Sequence, residues 1–150
     1  MTTGFLLGKF LPLHAGHQLL IETACAMVDR LTILVCWLPD DPIPGKLRLQ
    51  WVRDLYPDCN VIGHGAVVPQ EPADDPDFWG IWTDIVRTAH PSPIDMVFAS
   101  ETYGEELAAR VGARFVPVDI DRTALPVSGS AVRAHPGAQW SWLAEPVRSH

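Results

Sequence analysis

The order of local patterns in the first forty residues restricts the fold more than any other feature of this chain. Residues 4–10 (GFLLGKF) form a short, mostly apolar run that reads as a strand buried on both faces. The loop Leu11-Pro12-Leu13-His14-Ala15-Gly16 breaks it. A helix is expected from about His17 to Asp29, with Leu20, Ile21, Ala24 and Met27/Val28 as its apolar stripe. Residues 31–37 (LTILVCW) are a second buried-strand run, rich in β-branched side chains. Strand, helix and strand in so short a span make a βαβ unit, whose strands lie parallel with a right-handed crossover.

The alternation continues downstream. Residues 46–56 read as a helix and 60–62 as a short strand. Residues 67–77 hold three prolines and four acids, which requires an exposed loop. A helix follows over residues 78–89 with Asp77 as its expected cap. Then come a strand at 94–99, a helix at 103–111 ended by Gly112, and a strand at 114–118. The tail from Ser128 reads as helical in two pieces, broken at Pro136. The expected fold is therefore α/β: a Rossmann-like parallel sheet of about five strands with helices on both faces, one domain over residues 1–150.

Composition excludes several function classes. With 47% hydrophobic and 19% charged residues the chain is globular rather than disordered. No apolar run approaches the ~18 residues of a membrane span, and the start lacks the basic lead and cleavage site of a signal peptide. The expected location is cytoplasmic, with no membrane partner. A net charge of −7 argues against bulk nucleic acid, although a few local cations can still hold a small phosphorylated ligand. Cys25, Cys36 and Cys59 match no zinc spacing, and their odd number argues against a disulfide framework, so they read as small buried apolar residues.

In open α/β sheets ligands bind beyond the carboxyl ends of the strands. Here the first such connection reads G-K-F-L-P-L-H-A-G-H, residues 8–17. His14 and His17 flank Gly16 where a helix begins, and Lys9 adds a cation on the same turn. A glycine lets a ligand approach the backbone, a helix start carries partial positive charge, and imidazoles donate hydrogen bonds to phosphate oxygens. Two plainer explanations compete: a metal-binding pair, which lacks the glutamate of H-E-x-x-H and any evident third ligand, and ordinary loop polarity.

With Gly8-Lys9-Phe10 ahead of it and Pro12 within, this segment resembles the H-x-G-H nucleotidylyltransferase superfamily. That superfamily pairs it with a C-terminal I-S-S-T-x-x-R signature, here V-S-G-S-A-V-R at residues 127–133. Ser128 suits a helix N-cap, and Arg133, on the same helix, could reach the phosphates that the cap amides meet. Gly129 and Ser130 depart from the family form at the middle positions. The resemblance extends to NadR-type nicotinamide mononucleotide (NMN) adenylyltransferase domains through Arg48-Leu49-Gln50-Trp51, through W-G-I-W-T-D-I-V-R at residues 79–87, and through D-I-D-R-T-A-L-P at residues 119–126.

That resemblance implies an enzyme joining ATP to NMN, giving NAD and pyrophosphate. It implies catalytic roles for His14, His17, Lys9 and Arg133. ATP and its phosphates would meet Gly8, Phe10, Gly16, Ser128, Gly129, Ser130 and Arg122. NMN would meet Trp79, Trp82, Arg48, Ser100 and Glu101. A cationic nicotinamide ring suits an indole face, and the acids Glu71, Asp74, Asp75 and Asp77 suit a cationic ligand. Trp51, Trp140 and Trp142 read as packing residues. Mg²⁺ is expected with ATP as substrate, and no protein metal site. The small-molecule partners are ATP and NMN, and a homo-oligomer is compatible with the reading. The riboside kinase domain of NadR-type proteins is expected to be absent, since residues 1–150 hold no G-x-x-x-x-G-K-[ST] loop. The same chemistry on another phosphorylated acceptor and a catalytically silent nucleotide-binding module remain as alternatives.

Overall fold

A computed structural model describes residues 1–119. The elements run β1 (Thr3–Gly8), α1 (Ala15–Met27), β2 (Arg30–Cys36), α2 (Gly45–Leu55), β3 (Asn60–His64), α3 (Phe78–Ala89), β4 (Met96–Ala99), α4 (Tyr103–Val111) and β5 (Arg114–Pro117). A single 3-10 turn, Pro72–Asp74, interrupts the loop before α3. The five strands form one sheet in the order β3-β2-β1-β4-β5, and every pairing is parallel. The fold is thus the expected Rossmann-like α/β layer arrangement.

Strand periodicity decides which face each helix covers. Leu31, Ile33 and Val35 of β2 join Leu20, Ile21 and Ala24 of α1 and Trp51 and Val52 of α2 in one core. The alternate residues Leu34 and Cys36 pack on the other face with Val86 of α3 and Leu107 and Ala108 of α4. Side chains two apart share a face, so a continuous apolar run feeds two cores at once. Gly104 brings α4 close to the sheet, because a Cβ there would meet Phe115 at 2.5 Å and Ala99 at 2.7 Å.

Several boundaries move from the sequence expectation for identifiable reasons. Helix α1 begins two residues early, at Ala15, because His14 itself caps it. Its stripe is Leu20, Ile21 and Ala24, whereas Met27 is 41% exposed at the helix end. Strand β1 stops at Gly8, since Phe10 takes a positive φ of 49° that no strand tolerates. Asp77 sits at the N-cap of α3 without a side-chain capping bond, and its own N–H donates instead to Asp75 at 2.8 Å. Helix α4 matches the expected range, and Gly112 closes it at φ 73°, in the left-handed region. The tail expected to be helical lies outside the described residues.

Candidate active site

The strand order reverses direction at β1, which pairs with β2 on one side and β4 on the other. The connections leaving β1 and β4 turn to opposite faces, so a crevice opens between them at the carboxyl edge. A cleft of about 650 Å³ lies there. Its lining brings together Gly8, Lys9, Phe10, His14, Gly16 and His17 from the β1–α1 turn, Trp79 and Trp82 from α3, and Ser100 and Glu101 after β4.

The turn is held by the two histidines. The His14 Nδ1 accepts from the Gly16 N–H at 3.1 Å, capping α1, and the His17 Nδ1 accepts from the His14 N–H at 3.2 Å. This is the reciprocal logic of a capping box, carried out by imidazoles instead of serine and glutamate. The two rings stack with centroids 3.8 Å apart and 21° between planes. Phe10, itself buried, meets His17 edge-on at 4.8 Å. A backbone N–H can only donate, so each Nδ1 must be the unprotonated nitrogen. Each neutral imidazole therefore carries its proton on Nε2, as a hydrogen-bond donor.

Arg48 is a correction to the sequence reading. Instead of facing a ligand, it is fully buried and absent from the cleft lining. Its Nε donates to the Ile43 carbonyl at 3.1 Å, one terminal nitrogen to the carbonyls of Lys9 and Cys36 at 2.9 and 3.4 Å, and the other to Asp41 at 2.8 Å. A guanidinium engaged this way fastens the end of β1 to the end of β2, so its place is behind the site. Asp41 also accepts from the Leu38 N–H at 2.9 Å and pairs with the Lys9 Nζ at 3.5 Å. Burial pushes the Asp41 carboxyl up, but the Leu38 N–H and the Arg48 and Lys9 cations outweigh it and hold it below its ordinary value.

Across the cleft, the Trp82 Nε1 donates to the Pro69 carbonyl at 2.9 Å and so ties the loop before α3 to that helix. Phe78 packs edge-on against Trp79, with centroids 5.0 Å apart. Phe78, Gln70 and Tyr103 line the cleft too, and sequence reasoning missed all three. Their type carried no signal, although Phe78 heads the helix that supplies the tryptophans. Tyr103 donates to the Leu7 carbonyl at 3.2 Å, and burial, with the charge of Glu101, raises its phenol well above the usual value. Cys36 also lines the cleft, its thiol pushed up to about 12 by burial. Of the four loop acids only Glu71 lines the cleft. Arg122, Ser128, Gly129, Ser130 and Arg133, with Trp140 and Trp142, lie outside the described residues, while Trp51 is a buried packing residue as expected. Among the described residues no group of three or more His, Cys, Asp or Glu could hold a metal ion. No helix among them is long and apolar enough to cross a membrane.

A parallel five-stranded sheet with a crevice at its switch point and a histidine-capped helix opening into it defines the class by fold: a Rossmann-like α/β domain. Comparison with known proteins narrows this. No family model matches the chain. It is 27% identical over 165 residues to the trifunctional NAD biosynthesis/regulator protein NadR of Escherichia coli, which covers 98% of the chain and 40% of NadR. It is 29% identical over 156 residues to the nicotinamide-nucleotide adenylyltransferase of Methanoculleus marisnigri, covering 98% of the chain and 88% of that protein. A crystal structure of NadR protein in complex with NAD and AMP-PNP superposes with a TM-score of 0.72 at 20% identity, over 98% of the chain and 46% of that structure. The chain is thus similar to NadR and to a nicotinamide-nucleotide adenylyltransferase, and it spans about 40% of the length of the NadR proteins it matches.

Proposed function

We propose that the chain is an NMN adenylyltransferase, converting ATP and nicotinamide mononucleotide to NAD and pyrophosphate. One observation carries the reading: a cleft with two Nε2–H donors at a helix start on one wall and two tryptophans on the other. The first wall suits a polyphosphate and the second a flat cationic ring. The names of the relatives at 27% and 29% identity support the same reaction.

The chemistry is an in-line displacement. An oxygen of the NMN 5′-phosphate forms a bond to the α-phosphorus of ATP, the bond from that phosphorus to the α,β-bridging oxygen breaks, and pyrophosphate leaves. The attacking phosphate is already ionised, so no strong base is needed, and catalysis consists of positioning and charge stabilisation. His14 and His17 donate to the α-phosphate oxygens as negative charge grows there. Lys9, half-exposed beside Asp41, supplies a cation to the leaving phosphates. Gly8, Phe10 and Gly16 shape the wall on which ATP lies. Ser128, Gly129, Ser130, Arg122 and Arg133 complete phosphate binding in this proposal, on the strength of the sequence resemblance. Trp79 and Trp82 hold the nicotinamide, and Ser100 and Glu101 frame the nucleotides. Mg²⁺ would arrive with ATP as part of the substrate, keep most of its waters and neutralise phosphate charge.

The test is to incubate the chain with ATP, Mg²⁺ and NMN, and to quantify NAD and pyrophosphate beside a His17→Ala variant. Equimolar NAD and pyrophosphate from the wild type, with a large loss in the variant, is the expected result. Pyrophosphate release with another phosphorylated acceptor and none with NMN would replace the substrate. ATP binding without turnover on any acceptor would replace the enzyme with a nucleotide-binding regulatory module.

A further inference from the structure

The cysteines depart from the sequence expectation. Only Cys36 is buried, whereas Cys25 is exposed and Cys59 half-buried. Cys25 sits in α1 and Cys59 one residue before β3, yet their Sγ atoms lie 3.6 Å apart. That is thiol contact distance between side chains 34 residues apart in the chain. Burial pushes the Cys59 thiol up to about 12, and its neighbour Cys25 adds to the shift. Cys25 is the more exposed member of the pair.

We propose that Cys25 and Cys59 are an oxidation site, at which a hydroperoxide closes a disulfide joining α1 to the start of β3. The Cys25 thiolate attacks a peroxide oxygen, the O–O bond breaks, and the sulfur becomes a sulfenic acid as water forms from the leaving hydroxide and a proton. The Cys59 sulfur then attacks the Cys25 sulfur, the S–O bond breaks, and the Cys59 proton leaves with the hydroxyl group as a second water. Two thiols and one hydrogen peroxide give one disulfide and two waters, and the peroxide is the only oxidant.

The position of the pair determines what the bond does. Every strand runs the same way, and the cleft occupies the carboxyl edge. Cys25, near the end of α1, and Cys59, ahead of β3, sit at the amino edge, away from the cleft lining. The link closes the loop that contains β2 and α2 and restricts the unfolded chain without entering the cleft. The inference is independent of the reaction assigned to that cleft.

The test treats the 150-residue chain with hydrogen peroxide, alkylates remaining thiols and maps tryptic peptides without reduction. The expected product is peptide 10–30 linked to peptide 54–87, two hydrogens lighter than the sum and separated by dithiothreitol. Oxidised protein should melt at a higher temperature than reduced protein, a difference absent from Cys59→Ser. In that variant Cys25 should stop at the sulfenic acid and be trapped by dimedone. Alkylated Cys59 beside an over-oxidised Cys25 in the wild type, a link between two chains, or a link to Cys36 would each overturn the proposal. The wild-type map alone decides it if the variant does not fold.

Discussion

The two walls of the cleft are built differently. The β1–α1 turn is locked from behind: Arg48 fastens the Lys9 carbonyl, His14 caps the helix, and Phe10 and His14 are almost fully buried. The opposite wall is local and shallow. Residues 66–77 are mostly exposed, and several of their hydrogen bonds stay within the segment, such as those from the Gln70 and Glu71 N–H groups to Asp74. Its principal anchor to α3 is the Trp82 indole on the Pro69 carbonyl. Phosphate chemistry tolerates little misplacement, whereas a flat ring needs only a surface of the right polarity. For the proposed reaction, the rigid wall therefore suits the reacting phosphates, and the adaptable one suits selection of the acceptor.

The strongest way to break that contrast is to remove the post behind the rigid wall. Arg48→Met leaves Asp41 without its shortest charged partner and three backbone carbonyls without that donor. Breaking a buried ion pair by deleting one member costs about 3–5 kcal/mol. Urea denaturation should show a loss in that range, and an unchanged midpoint would mean the turn is not held this way. Next in size is His17→Ala. Removing one donor to a transition-state oxyanion costs about 10²–10³ in kcat. The loss should fall on kcat more than on the KM for ATP, which steady-state kinetics with both substrates resolves.

On the adaptable wall the effect should be smaller and of a different kind. Trp79→Ala removes an aromatic face whose contact with a cation contributes about 0.5–2 kcal/mol, roughly 2–30-fold in affinity. The KM for NMN should rise while that for ATP stays within about twofold, by the same estimate of one lost contact. Equal rises in both would place Trp79 in the common scaffold and remove the distinction between the walls.

How much of this was legible in the sequence follows from how local each cause is. Strands β1 and β2 announce themselves because a segment buried on both faces must be apolar almost throughout. Helix α4 ends where expected because one glycine carries the left-handed turn. The start of α1 was misplaced because histidine is not among the usual caps, although His14 and His17 stand at the capping-box spacing. Arg48 and the Cys25–Cys59 pair were unreadable for a different reason. Their partners lie up to 39 residues away, and only the tertiary fold brings them together. A charged residue on a helix and a scattered cysteine look alike in sequence whether they end in solvent or in contact.

The smallest effect concerns Lys9, on the rigid wall. Its side chain is 39% exposed and 3.5 Å from Asp41, so the pair is partly screened and contributes little, about 0–1 kcal/mol. A cation held this loosely can exchange Asp41 for a phosphate without a large penalty. The Asp41 carboxyl nevertheless titrates below its ordinary value of 3.8, so its contribution is present above that pH and is lost as pH falls through the lower folded value. Lys9→Met removes one of the cations that hold it down. Followed by NMR, the Asp41 midpoint should move up towards 3.8 in the variant yet stay below it, because Arg48 and the Leu38 N–H remain. Stability at neutral pH should change by less than about 1 kcal/mol. A midpoint unmoved by the substitution would show that Lys9 is already free of Asp41, and a collapse in stability would place Lys9 in the buried framework with Arg48.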